Sequence, residues 1–147
     1  MLDEGAYQAT YDEVVRLPCA FEKALLSRCA GCDQVHRYNI AEREAVACEA
    51  PVARENCLTL HGLLHQNAMF VLKLIHPDEP LPHAKELKIQ CGGLLGTQRL
   101  LDPEATAVEN VHGLVGALQS RFGSMQALPY QEVVKSIAAY EGRRSRK

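Results

Sequence analysis

Apolar positions recur at helical spacing along most of the chain. Phe21, Ala24, Leu25 and Arg28 share one face after Pro18, predicting a helix over Ala20–Arg28 with Gly31 as its C-terminal cap. Val35–Tyr38 is short and polar and reads as a loop or an isolated extended piece. Ile40–Cys48 reads as a short helix with Asn39 as N-cap, and Pro51 opens the next one. Cys57, Leu60, Leu64, Ala68, Val71 and Ile75 then form an apolar stripe, predicting a long helix from Pro51 to Ile75.

The proline-rich stretch His76–Pro82 breaks that pattern and reads as a loop. A helix is expected from His83 to Leu101, although Gly92, Gly93 and Gly96 weaken it. Glycines there point to the close approach of another helix or a bound group. Asp102-Pro103-Glu104 is expected to begin a further helix carrying Val108, Val111, Val115, Leu118 and Phe122, ended by Gly123. Pro129 opens the last, with Val133, Val134, Ile137 and Tyr140 on one face. With neither an internal repeat nor an alternating strand pattern, the expected fold is all-α, a compact bundle of about five helices.

The composition fits one domain spanning residues 1–147. Its cysteine-rich half covers about residues 17–75, and a basic, disordered tail about 142–147. The chain is 47% hydrophobic but only 5% aromatic, with no Trp, so its core must be aliphatic. A net charge of -2 offers no electrostatic pull toward nucleic acid. No apolar run is long enough to cross a bilayer, and Met1–Tyr11 lacks the apolar core of a secretory signal. The expected home is the cytoplasm, where cysteines serve metal binding or redox chemistry more often than structural disulfides.

Six cysteines carry the candidate chemistry. Cys29 and Cys32 form a Cys-x-x-Cys turn, and Cys48 and Cys57 follow within reach of it. If Ala20–Arg28 is one straight helix, Cys19 stands roughly 15 Å from Cys29 and is stranded. The expected ligand set is therefore Cys29, Cys32, Cys48 and Cys57, with the glycine-flanked Cys91 in reserve. Four thiolates on or beside helices suit an iron–sulfur cluster, [4Fe–4S] by ligand count, over a structural zinc ion. The expected role is electron transfer, redox sensing or cluster delivery with a protein redox or assembly partner. A zinc-stabilised interaction module and a Cys29/Cys32 dithiol redox protein are the alternatives.

His61 and His65, one turn apart and one turn beyond Cys57, form a rival constellation. They lack the Glu immediately after the first His that the metalloprotease pattern requires. Glu42, Glu44 and Glu49, and Lys85 with Glu86 and Lys88, read as solvated faces. Phosphate-binding glycine loops and a hydrolase serine elbow are absent, so no catalytic residues are assigned and the expected function is not enzymatic.

Overall fold

A computed structural model describes residues 4–69, 71–72 and 81–141. Most of the expected His76–Pro82 loop, the end of the helix expected to reach Ile75, and the basic tail lie outside the described residues. Among the described residues seven helices run in chain order: α1 (Glu4–Val14), α2 (Glu22–Leu26), α3 (Pro51–Ala68), α4 (His83–Leu87), α5 (Gly93–Leu101), α6 (Val111–Phe122) and α7 (Tyr130–Ala139). A π-helical turn, Lys88–Gly92, joins α4 to α5, and a 3-10 turn, Met125–Ala127, precedes α7. Between α2 and α3 lie two strands, β1 (Val35–Ile40) and β2 (Arg43–Cys48).

The fold is mostly helical, but the all-α expectation is corrected by this antiparallel hairpin, in which Val35 pairs with Cys48 and Ile40 with Arg43. Ile40–Cys48 is a turn and a strand, not a helix. Ala41 and Glu42 form the two-residue turn with φ of 51° and 71°, the left-handed conformation that a tight hairpin needs at both central positions. Strand alternation is masked as well, because β2 is covered on both faces. Val46 enters the main core, whereas Ala45 and Ala47 face a smaller cluster with Tyr7, Val15 and Ile40. That second cluster is closed by α1, a helix the hydrophobic pattern does not reveal.

The first expected helix shortens to five residues, Glu22–Leu26. Arg28, at φ 68°, takes the left-handed position after it, and the Cys29 and Arg28 amides bond back to the Ala24 and Leu25 carbonyls at 3.1 and 3.2 Å. This paired capping pattern, and not Gly31, ends the helix. At its start the Ala24 amide, which has no partner within the helix, donates to Gln90 Oε1 at 3.0 Å.

Phe21, Leu25, Leu60, Leu64, Ile89, Leu94, Leu118 and Ile137 are fully buried in the main core, each contributing about 1.5–3 kcal/mol of burial. The glycines expected to permit a close approach do so for helices. A Cβ on Gly92 would lie 2.7 Å from Ile137 Cα, and one on Gly96 would lie 3.0 Å from the Val133 carbonyl, both on α7. Residues 102–110 form a strap in place of the expected helical start. Its Val108 carbonyl accepts the Gly31 amide at 3.0 Å, the Val111 amide returns to the Gly31 carbonyl at 2.8 Å, and the helix begins only at Val111. The strap pins the Cys29–Cys32 turn.

Candidate metal centre

Four segments bring free thiols toward one another. The Leu17–Cys19 segment lies along the outer edge of β2. There the Cys19 amide bonds to the Val46 carbonyl at 3.0 Å and the Cys48 amide to the Leu17 carbonyl at 2.7 Å. Cys32 leads into β1, whose first residue, Val35, pairs with Cys48. Arg54, one turn before Cys57 on α3, donates from Nε to the Pro18 carbonyl at 2.6 Å and draws α3 onto the Cys19 segment. Cys19, Cys32, Cys48 and Cys57 are all free and all half-buried.

Their local chemistry is shared. The Ala50 amide reaches Cys48 Sγ at 3.5 Å, from two residues ahead. The neighbouring Phe21 and Gln34 amides favour the ionised form of the Cys19 and Cys32 sulfurs. Cys48 therefore sits in a turn that aims a backbone N–H at sulfur, and backbone amides favour the thiolate at Cys19 and Cys32 as well. The His112 amide, in the first turn of α6, favours the ionised form of Cys32 in the same sense. Such donors stabilise a thiolate and offset part of its desolvation.

The remaining forces oppose deprotonation. Burial raises the Cys19 thiol to about 11 and the Cys57 thiol to about 12, and it raises Cys32 as well. Charge on the neighbouring sulfurs adds to each shift. Cys19 feels Cys32 and Cys48, Cys57 feels all three others, and Cys32 feels Cys48. Thiolates formed together there would repel one another, and a bound cation would reverse that balance.

Cys29 is not among them. It is joined to Cys91 by a disulfide spanning 62 residues of sequence. The expected set of Cys29, Cys32, Cys48 and Cys57 is therefore brought together at three of its members, and Cys19 stands with them. A straight helix over Ala20–Arg28 would strand Cys19; because α2 spans only Glu22–Leu26, Cys19 belongs instead to the segment paired with β2. Cys91, held in reserve as a ligand, is 3% exposed and occupied by the disulfide.

No family model, curated protein or solved structure matches this chain. The residues alone carry its functional reading. Among the described residues no helix is long and apolar enough to cross a membrane.

The histidine pair on α3 gains a partner the sequence reading missed. Glu86 of α4 reaches both rings, His61 Nε2 to Glu86 Oε2 and His65 Nε2 to Glu86 Oε1, each at 2.7 Å. Glu86 is therefore no part of a solvated face; its side chain is only 13% exposed. Burial pushes its carboxyl upward, but His61, His65 and the Gln90 amide outweigh burial and hold it well below the usual carboxylate range. The spacing of the two histidines was the visible signal. Glu86 is more than twenty residues away, and only the fold connects it to them.

Proposed function

We propose that the chain is a small iron–sulfur protein in which Cys19, Cys32, Cys48 and Cys57 hold a [4Fe–4S] cluster for electron transfer, redox sensing or cluster delivery. Four free, half-buried thiols on four segments, linked by the pairing of Leu17–Cys19 with β2 and by Arg54 on α3, support this reading. Amide donors such as that of Ala50 to Cys48 Sγ tune the potential of thiolate-bound clusters.

Among the described residues no three sulfurs stand as close together as a single tetrahedral zinc ion needs. Zinc with bonds of about 2.3 Å to sulfur in a tetrahedron needs its sulfurs about 3.8 Å apart. Among the described residues, which include all six cysteines, no three sulfurs lie within 4.8 Å of one another. A polynuclear centre accommodates the wider frame. The Cys29–Cys91 bond gives the Cys29/Cys32 dithiol alternative less support than the cluster reading.

A cavity of about 310 Å³ between α3 and α6, lined by Ala53, Asn56, Cys57, His112 and Val115, opens beside the centre. It supports approach of a redox or assembly partner from the Cys57 side. Anaerobic purification with absorption spectroscopy and iron and sulfide analysis tests the proposal. Broad visible absorption bleached by dithionite, with four irons and four sulfides per cluster, is the expected result. Colourless protein with one zinc per chain, or with no metal, overturns it.

A further inference from the structure

His61, His65 and Glu86 form a second donor set that does not depend on the thiolate centre. We propose that these residues bind a divalent first-row transition ion, Zn²⁺ or Fe²⁺ in class, through the two Nε2 atoms and the Glu86 carboxylate. Their donor atoms lie within 4.8 Å of one another, the only such group among the described residues. Two imidazoles and one carboxylate are a donor set that both ions accept, and three protein ligands leave a position for water or a substrate atom.

The surroundings are those of a held site. The imidazole pair is fixed by the helical spacing of α3, with ring centroids 4.5 Å apart, and Phe21 packs edge-on against His61 at 5.4 Å. Behind the carboxylate, Gln90 Nε2 donates to Glu86 Oε2 at 2.7 Å while Gln90 Oε1 accepts the Ala24 amide. Gln90 is 4% exposed and belongs to the π-helical turn, a local widening often found at functional sites. It orients Glu86 from outside the ligand shell, as the partners of metal-bound carboxylates do.

One atom is unexplained by hydrogen bonding alone. His65 Nε2 is shielded from solvent and has no hydrogen-bond partner, although it lies 2.7 Å from Glu86 Oε1 as an ion-pair contact. A buried imidazole nitrogen without a hydrogen-bond partner is costly, and a metal ion between it and the carboxylate would use its lone pair. Half-exposed rings, at 24% and 30%, leave an entry route.

The test is Co²⁺ and Zn²⁺ titration of the full chain with its native metal content. The expected Co²⁺ spectrum shows d–d bands without thiolate-to-metal charge transfer, at one ion per chain beyond any held by the cysteines. His65→Gln and Glu86→Gln should each weaken binding at least about 100-fold, and Gln90→Ala by about 10–100-fold. His36→Gln should leave it unchanged. In the wild-type protein, Zn²⁺ should shift the NMR ring signals of His61 and His65 and leave those of the other four histidines in place. That readout needs no variant to fold. Unshifted His61 and His65 signals, or a charge-transfer band on the added ion, overturn the proposal and leave Glu86 as a structural clamp between helices. Because the signal comes from histidine, it stands or falls separately from the iron and sulfide content.

Discussion

Cys29 and Cys91 are bonded sulfur to sulfur, tying the turn after α2 to the π-helical turn 62 residues further along the chain. The bond sits at the edge of the main core, where Cys91 is buried with Ile89 and Leu94. Closing a loop of this length restricts the unfolded chain and stabilises the fold by about 2–4 kcal/mol. Cys91→Ser should lower the unfolding free energy from urea denaturation under oxidising conditions by that amount. In excess reductant the difference between variant and wild type should shrink to less than about 1 kcal/mol. Equal midpoints in oxidising buffer would show the bond to be dispensable.

The hairpin turn is held in an unfavourable conformation by its own residues. Ala41 and Glu42 both occupy left-handed φ, which costs L-residues about 1–2 kcal/mol each relative to the right-handed region. Asn followed by Gly suits the same turn. The double variant Ala41→Asn, Glu42→Gly should raise stability by about 1–2 kcal/mol in urea denaturation, since glycine's extra unfolded-state entropy offsets part of the relief. A loss of stability would mean that the Glu42 side chain makes a contact that matters more than backbone strain.

These two residues also explain why the sheet was illegible. A hairpin announces itself by Asn-Gly or Asp-Gly between alternating strands; here Ala-Glu sits between a polar strand and one buried on both faces. Ile40–Cys48 therefore resembles a helix in composition. The long stripe of α3, the glycine stop at Gly123 and the role of Pro129 were legible because each is decided within a few residues. The partners of the cysteines were not. Which thiols meet depends on where the Leu17–Cys19 segment pairs and where the 102–110 strap docks, and both are long-range backbone contacts.

Gly92 and Gly116 make opposite predictions. A methyl group on Gly92 would press within 2.7 Å of the α7 backbone at Ile137, whereas on Gly116 nothing lies within 4 Å. Gly92→Ala should cost about 1–3 kcal/mol through forced separation of the two elements. Gly116→Ala should gain about 0.5–1 kcal/mol from helix propensity in α6. Thermal melts of both variants decide it; a neutral Gly92→Ala would show that α7 can move aside.

Tyr130 predicts alkaline sensitivity. Its hydroxyl donates to the Met125 carbonyl at 2.7 Å, and burial raises its pKa from the usual 10 to about 12. The unfolded chain loses that proton first, so the stabilisation is complete below about pH 10 and is lost as pH rises toward 12. Tyr11 shifts in the same direction, through burial and then its hydrogen bond to Glu22. Tyr130→Phe should cost about 1 kcal/mol at neutral pH and flatten the alkaline decline by one proton's worth of slope. Adding Tyr11→Phe should flatten it further. An unchanged slope in Tyr130→Phe would show that the phenol titrates normally in the fold.

The ligand set makes the most direct functional prediction, because sequence spacing and structure differ at one residue. By spacing, Cys29 belongs to the set and Cys19 does not. By structure, Cys29 is consumed in a disulfide, while Cys19 is one of four thiols that influence one another's protonation. Cys19→Ser, Cys32→Ser, Cys48→Ser and Cys57→Ser should each reduce bound iron and the visible absorption by more than half. Cys29→Ser and Cys91→Ser should retain both and lose only the stability that the disulfide supplies. Serine is nearly isosteric with cysteine, so circular dichroism should confirm that each variant folds before its metal content is compared. If Cys29→Ser loses iron while Cys19→Ser keeps it, the disulfide forms only when the cluster is gone, and the Cys-x-x-Cys turn is the true anchor.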